Sequence, residues 1–394
     1  MATHQTKKIL FLVASEVQLP AIEYAKEKGY YIITCDNEPQ NPGHQLADKN
    51  IFISVYEKEK IYQEVKDLKI NAVVSFVSVH GLHTAAYLSD RLGLNSIKPI
   101  NLRKLTDKGK FRNMLDCLSL SQPNYTSKEN FTEDIDCNLE YPIIVKPVDK
   151  GGNVGITKLA DRRGLKKAFD IAWNASENKN VILEEFIEGT SINGDCIVVA
   201  NKIITHFIGD YLYNNELNAI LPYATLFPTK IDTSEVISQL EHILQSINFG
   251  NGIINFEAII KGGIPYIIEI NPRFSGNYIY KLMDKAFNID SAGVCVELAL
   301  GAEYSSSFFK RNKKYYCYSL LAKSNEGYFH KMKLKKQIEG HLFFKKIFKE
   351  NGELVDGFNT LHSRIAILLM EFDDRKKMEQ VNKNLHDYFN IELK

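Results

Sequence analysis

Two glutamates and two asparagines within one β-hairpin carry the clearest chemical signal in this 394-residue sequence. The segment Gly252–Arg273 reads as two apolar strands, Ile253–Ile260 and Ile264–Ile270, separated by Lys261-Gly262-Gly263. Alternate residues of a strand share a face, so Asn255 goes with Glu257, and Glu269 with Asn271. With Gly262-Gly263-Ile264 as the loop, Lys261 pairs with Pro265, which sets Glu257 opposite Glu269 and Asn255 opposite Asn271. Two carboxylates facing each other among Ile, Phe and Ala repel, and burying them unpaired costs several kcal/mol or forces protonation. Oxygen-only donors are what a hard divalent cation selects, and magnesium keeps positions for water and phosphate oxygens. The plainer alternative is a solvated hairpin edge with incidental acids, which the apolar neighbours oppose. Arg273 follows Asn271-Pro272 and adds a guanidinium suited to a forked contact with a phosphoryl or carboxylate group. Standing alone it would read equally as a surface arginine at a strand end.

Two further pieces suit the same chemistry. Lys146 ends the apolar strand Ile143–Lys146 and is followed by Pro147 and the turn Asp149-Lys150-Gly151-Gly152-Asn153-Val154-Gly155. Bare backbone amides in such a turn could cover phosphates, although a plain hairpin turn has the same composition and no Gly-Lys-Ser/Thr follows. The strand Val181–Glu185 runs into Phe186-Ile187-Glu188-Gly189, where backbone groups could read an adenine edge; a charged loop reads equally well.

Elements must bring these pieces together. The first hundred residues alternate strand and helix signals: strands at Ile9–Val13, Tyr30–Cys35, Ile51–Val55 and Ala72–Phe76, helices at Leu19–Lys28 and His83–Leu92. That order implies a parallel, doubly wound sheet. Asp36 ends the second strand where a dinucleotide fold holds a ribose, but the first turn, Ala14-Ser15-Glu16-Val17-Gln18, lacks the glycines of such a site. After a helix at Asp107–Leu115 come shorter strands at Cys196–Ala200 and Ile203–Ile208, then the hairpin. The Lys-, Phe- and Tyr-rich tail holds a strand at Ile365–Leu369 and an amphipathic helix at Arg375–Tyr388.

Composition narrows the function classes. With 44% apolar and 25% charged residues and a net charge of +1, the chain is globular and supplies no global field for nucleic acid or anionic lipid. No apolar run reaches the ~20 residues of a membrane span, and the polar start Met1–Lys8 leads into too short a run for a signal-peptide core. Six scattered cysteines without a C-x-x-C pair read as reduced thiols of a cytoplasmic enzyme.

In order and spacing these segments resemble the ATP-grasp superfamily, of the carboxylate–amine ligase type. The matching stretches are Asp107-Lys108-Gly109-Lys110-Phe111-Arg112, Ile144-Val145-Lys146-Pro147 with its glycine loop, Leu183–Gly189, Asn255-Phe256-Glu257 and, most specifically, Ile268-Glu269-Ile270-Asn271-Pro272-Arg273. The resemblance implies an α/β and α+β chain. It would have an N-terminal Rossmann-like parallel-sheet domain (1–105) and an ATP-grasp domain (106–302, lid at about 118–190). Residues 303–394 would close the site, with Gly357 and the Arg364–Leu369 strand similar to biotin-carboxylase-like members. It implies that Lys108 and Lys146 hold ATP phosphates, that Gly151, Gly152, Asn153, Val154 and Gly155 close over them, and that Glu184, Glu185, Phe186 and Ile187 bind adenine. Glu257, Glu269 and Asn271 would hold magnesium (manganese as a substitute), and Arg273 would orient an acceptor carboxylate and, with Lys146, stabilise the transferring phosphoryl group. Ser191 stands where many members place a ribose-binding glutamate.

The implied activity is phosphorylation of a carboxylate to an acyl phosphate that an amine then attacks, with release of ADP and phosphate. A bicarbonate-using carboxylase and a non-catalytic nucleotide-binding protein on the same fold are the alternatives. Small-molecule acid and amine partners are expected, with neither nucleic acid nor membrane, and the aromatic tail is a candidate homodimer surface. The acceptor pocket is expected between the first domain and the hairpin sheet, with Glu16, His80-Gly81 and Asp210–Tyr223 as candidate lining; each also reads as ordinary capping or packing.

Overall fold

The computed structural model describes residues 6–214, 218–358 and 363–394. The first part is a four-stranded parallel sheet in the order β3-β2-β1-β4. Its strands are β1 (Lys8–Leu12), β2 (Tyr31–Cys35), β3 (Lys49–Ile51) and β4 (Ala72–Val74), with helices α1 (Leu19–Glu27), α2 (Lys58–Val65) and α3 (Leu82–Leu92) between and after them. The third strand lies two residues ahead of the expected Ile51–Val55, because Lys49–Ile51 is what the edge of β2 pairs with. Asp36 is engaged within the fold. Its carboxylate accepts from the backbone of Ala14 (2.8 Å) and Glu38 (2.9 Å) and from the Asn41 amide (2.8 Å), so it braces the first βα turn.

Helices α4 (Pro99–Thr106) and α5 (Lys108–Cys117) lead to a small antiparallel sheet ordered β5-β8-β6-β7, built from β5 (Tyr125–Lys128), β6 (Ile143–Pro147), β7 (Thr157–Leu159) and β8 (Val181–Glu185), with α6 (Leu165–Ala175) packed on it. Asp107 caps α5, accepting from the Lys110 backbone N–H at 2.9 Å. The large sheet follows: β9 (Thr190–Val199), β10 (Lys202–Asn214), β11 (Asn218–Phe227), then α7 (Ser234–Ser246), β12 (Gly252–Lys261) and β13 (Ile264–Asn271). Helices α8 (Tyr280–Phe287) and α9 (Ser291–Ala299) come next. The tail supplies β14 (Tyr315–Leu321), β15 (Glu326–Leu334), the short α10 (Lys336–Glu339), β16 (Leu342–Ile347), β17 (Leu354–Asp356), β18 (Ala366–Phe372), α11 (Arg375–Lys383) and β19 (Phe389–Leu393).

The large sheet has eight strands in the order β13-β12-β9-β10-β11-β14-β18-β16. Three of them come from beyond residue 302, so the tail extends the sheet that carries the hairpin. The expected tail helix at Arg375–Tyr388 ends at Lys383 and tightens into a 3-10 turn over Leu385–Tyr388, where Leu385 turns into the tail's apolar core. β9 begins six residues before the expected Cys196, because Thr190–Asp195 pairs fully with β12 although four of its six residues are polar.

Alternation decides the two faces of this sheet. Ile254, Phe256 and Ala258 of β12, with Cys196 and Val198 of β9, pack under the α4, α5 and α7 side. Ile253, Ile197 and Phe207 face the first sheet and α8–α9. Along that second face the side chains turn polar toward the open end, and the candidate site lies there. No helix among the described residues is long and apolar enough to cross a membrane.

Candidate active site

The hairpin places Glu257 opposite Glu269 and Asn255 opposite Asn271. The turn differs from expectation: Lys261 pairs with Ile264, leaving Gly262 and Gly263 as a two-residue loop, both with positive φ (59° and 82°). Two left-handed residues suit the twist of a tight hairpin, and glycine takes them without strain. The one-residue offset is absorbed by a bulge at Ile268, since Ala258 pairs with Ile267. The two differences cancel at the carboxylates, so the expected facing pairs stand.

Burial and the Glu269 charge together push the Glu257 carboxyl up to about 7, against a 2.9 Å hydrogen bond donated by Tyr211. Glu269 is held below its ordinary value: burial works against ionisation, but Lys108, the Asn271 amide and Arg273 outweigh it. The pair therefore holds two negative charges only at a cost, which a bound cation would relieve. Among the described residues no group of three or more His, Cys, Asp or Glu comes together as a metal cluster. A cation at the hairpin would rest on two carboxylates and the Asn271 oxygen, leaving positions for water and phosphate, which fits magnesium or manganese.

Cations ring this pair. Lys108 Nζ lies 3.8 Å from Glu269 and donates to the Lys150 carbonyl at 2.6 Å, which ties the start of α5 to the glycine loop. Gly151–Gly155 itself is largely exposed, with Gly152, Asn153 and Gly155 in left-handed conformations. Lys146 reaches Glu184 at 2.6 Å, and both side chains are about 5% exposed. Glu184 also takes the fully buried Arg112 at 2.8 Å. Burial works against the Glu184 charge, yet the two cations bring its carboxyl down to about 2. For Lys146 burial wins, lowering the ammonium below its ordinary value against the pull of Glu184.

The segment expected to meet adenine has its side chains engaged elsewhere. Glu184 belongs to that ion triad, and Glu185 accepts from the Asn124 amide (3.0 Å) and the Glu140 backbone (2.9 Å). The Phe186 N–H bonds the Pro142 carbonyl at 2.8 Å, and Ile187 is buried. Ser191 sits on β9 opposite Ile259 and hydrogen-bonds Tyr213.

Arg273 lies at the turn after β13, where Nη1 donates to the Phe274 carbonyl at 2.6 Å and the buried Nε has no partner. Beside it, Asp195 of β9 accepts from the backbone (2.9 Å) and hydroxyl (2.7 Å) of Ser275, while its second oxygen is buried without a partner. Burial pushes Asp195 up to about 6, with Ser275 and Arg273 opposing. Asn193 Oδ1, across from Glu257, is likewise buried and unpartnered. Asn193, Asp195 and Arg112 escaped sequence reasoning; the polar positions 191, 193 and 195 alternate within an apolar strand, and that was the available signal.

The remaining lining candidates are mostly engaged. Glu16 pairs with Lys346 at 2.6 Å, which fastens the first βα turn to the tail. His80 contacts the Tyr56 hydroxyl, and Asp210 pairs with Arg375 at 2.9 Å. Residues 215–217 of the Asp210–Tyr223 stretch lie outside the described residues, as do Met1–Gln5. An apolar cavity of about 110 Å³ lies behind Arg273, between β4, α3 and α9.

Opposed acids thus lie beside Lys108, the buried Lys146 and Arg273, on an antiparallel sheet accompanied by a smaller antiparallel sheet and a parallel one. A profile described as the ATP-grasp domain matches residues 105–277, and that stretch is similar to ATP-grasp domains. It is 25% identical over 336 residues to the carbamoyl phosphate synthase large chain of Caldanaerobacter subterraneus subsp. tengcongensis, covering 78% of this chain and 30% of that one. The chain thus spans about 30% of the length of that curated relative. Its fold is similar to an L-amino acid ligase from Bacillus licheniformis (TM-score 0.85, 16% identity, all of both chains). It is also similar to the biotin carboxylase domain of Hydrogenobacter thermophilus 2-oxoglutarate carboxylase in complex with MgADP and bicarbonate (TM-score 0.71, 17% identity, 99% of this chain and 92% of that one).

Proposed function

We propose that this protein is an ATP-dependent ligase that phosphorylates a carboxylate and couples it to an amine, releasing ADP and phosphate. The observation that carries the reading is the facing of Glu257 and Glu269 with Lys108, Lys146 and Arg273 around them. Phosphoryl transfer needs positioning and charge neutralisation more than a covalent protein group, and this face supplies both. A magnesium ion at Glu257, Glu269 and Asn271 would neutralise the β- and γ-phosphate oxygens. Lys108 and Lys146 hold phosphates, the Gly151–Gly155 loop covers them, and the backbone of Glu184–Ile187 meets the adenine, with Ser191 toward the ribose.

Arg273 orients the acid so that a carboxylate oxygen attacks the γ-phosphorus as the bond to the β-phosphate oxygen breaks. The amine then adds to the acyl carbon, loses a proton, and phosphate departs with the C–O bonding pair. Residues 1–105, 106–302 (lid at about 118–190) and 303–394 serve as the working division of this machinery, in the cytoplasm, as a monomer or homodimer acting on small molecules.

The test is nucleotide product analysis with magnesium-ATP and pooled carboxylic acids, bicarbonate among them, with pooled amines or hydroxylamine as the trap. ADP formed only with an acid, together with a hydroxamate, supports the ligase. ADP that depends on bicarbonate alone moves the reading to a carboxylase. Tight ATP binding with no acid- or bicarbonate-dependent ADP removes the ligase reading in favour of a binding protein.

Lys146→Met is expected to weaken nucleotide binding roughly 10- to 100-fold, the worth of one charge-assisted hydrogen bond. Glu184 keeps Arg112 as its partner in that variant, so the fold survives. Calorimetric titration with ATP checks it, and an unchanged affinity removes Lys146 from the phosphate site.

A further inference from the structure

The buried guanidinium of Arg112 joins parts of the chain that are far apart in sequence. Its Nε donates to Glu184 Oε1 at 2.8 Å, and Nη2 lies 3.4 Å from Glu184 Oε2, so β8 of the small sheet is held by a fork. Its Nη1 donates to the Ile267 carbonyl at 3.0 Å and Nη2 to the Ile268 carbonyl at 3.3 Å. Those carbonyls flank the β13 bulge, immediately before Glu269. The side chain rises from α5, whose first residue is Lys108. Through Glu184 the same guanidinium reaches Lys146 on β6.

We propose that Arg112 is the positioning residue of the nucleotide site, fixing the Lys146-bearing sheet against the Glu269-bearing hairpin. The inference rests on the reading of that face as the ATP and cation site. Three arguments support it. A bulge withdraws carbonyls from the ladder, and a buried carbonyl left unpaired is costly; the planar fork of arginine satisfies two of them while holding a carboxylate on its other edge. The triad Arg112–Glu184–Lys146 carries one net positive charge where an ammonium alone would be driven neutral by burial. And Arg112 itself is fully buried, so it acts on ligands through Glu184 and the bulge rather than by touching them.

Such a role predicts coupling that simple scaffolding does not. Removing Arg112 frees the β13 bulge from β8, so it should weaken nucleotide binding through Lys146 and also the gain in affinity that magnesium brings through Glu269. Arg112→Met and Arg112→Lys are each compared with wild type by calorimetric titration of ATP with and without magnesium. Near-ultraviolet circular dichroism confirms that the protein titrated is folded.

Arg112→Met should raise the Kd for magnesium-ATP at least about tenfold, the worth of a lost charged hydrogen bond. It should also shrink the magnesium-dependent gain. Arg112→Lys keeps the charge but not the fork, so it should recover part of the magnesium-free affinity and little of the magnesium-dependent gain. In a Lys146→Met background the Arg112→Met effect should be much less than multiplicative, since both act through Glu184. If Arg112→Met does not fold, the Arg112→Lys protein carries the same comparison.

Magnesium-ATP affinity within twofold of wild type in the folded variants overturns the role of Arg112, as do fully multiplicative effects with Lys146→Met. A wild-type protein that binds no nucleotide overturns the reading of the site itself, a separate outcome.

Discussion

Glu269→Gln is expected to abolish magnesium-dependent turnover, by about 10²–10³-fold or more, while leaving the fold intact. Glu269 faces Glu257 across the hairpin, and the amide has the shape of the carboxylate without its charge. The stability consequence has a definite sign. In the native protein the Glu257 carboxyl is raised from about 4.5 to about 7, first by burial and then by Glu269. The folded state then binds more protons than the unfolded one between those values, so this residue's contribution falls as pH rises through the window. Removing the Glu269 charge relieves part of that cost, on the order of 1–3 kcal/mol above pH 7. The loss of Lys108 and Asn271 as partners of a full charge offsets some of the gain. Thermal melts at pH 5 and pH 8 should show the variant equal to wild type or slightly more stable, with the advantage larger at pH 8. Wild-type turnover in this variant would take the cation away from the hairpin.

Arg273→Ala should reduce acid-dependent ADP formation by about 10²–10³-fold, the usual cost of removing one preorganised charge from a developing anionic transition state. Nucleotide affinity should change little, because the proposed site gives the phosphates to Lys108 and Lys146. The split is diagnostic: the KM for the acid rises and hydroxamate formation collapses while ATP still binds. The Arg273 Nε is buried without a partner, so the native side chain has a donor to offer an incoming carboxylate. Arg273→Lys should recover only a small part of the rate, since an ammonium cannot form the fork. If the alanine variant lost ATP affinity and acid-dependent rate in equal measure, Arg273 would belong with the nucleotide instead. Asp195 gives a second readout: without the nearby guanidinium its carboxyl, already pushed up to about 6 by burial, should rise further.

The residues behind these two predictions are not equally legible in the chain. The hairpin needs only local rules: strict alternation, two glycines between apolar strands, and carboxylates at positions that could not both face a core. Even an error in the loop length leaves the facing pairs intact, because the bulge at Ile268 restores the register. Arg273 is recognisable by type and position, but its unpartnered Nε and its neighbour Asp195 are not. Much of the parallel sheet is as plain as the hairpin, since β1, β2 and β4 are short apolar runs; the edge strand β3, Lys49–Ile51, is largely polar, and β4 reaches β1 from far along the sequence.

Local periodicity, and the residues whose chemistry is out of keeping with it, can be read from the chain alone: Glu257, Glu269, Asn271, Arg273 and Lys146. Who partners whom is settled only when distant segments fold onto one another. Arg112 meets Glu184 from 72 residues away and the Ile267 carbonyl from 155. Glu16 finds Lys346 across 330 residues. The tail strands extend the same sheet as the hairpin. An arginine on a helix and a glutamate at a strand end each look solvated when read locally. Their pairing depends on which faces the fold buries together, and in a low-dielectric interior that choice sets their charge, their partners and what the neighbouring lysine can do.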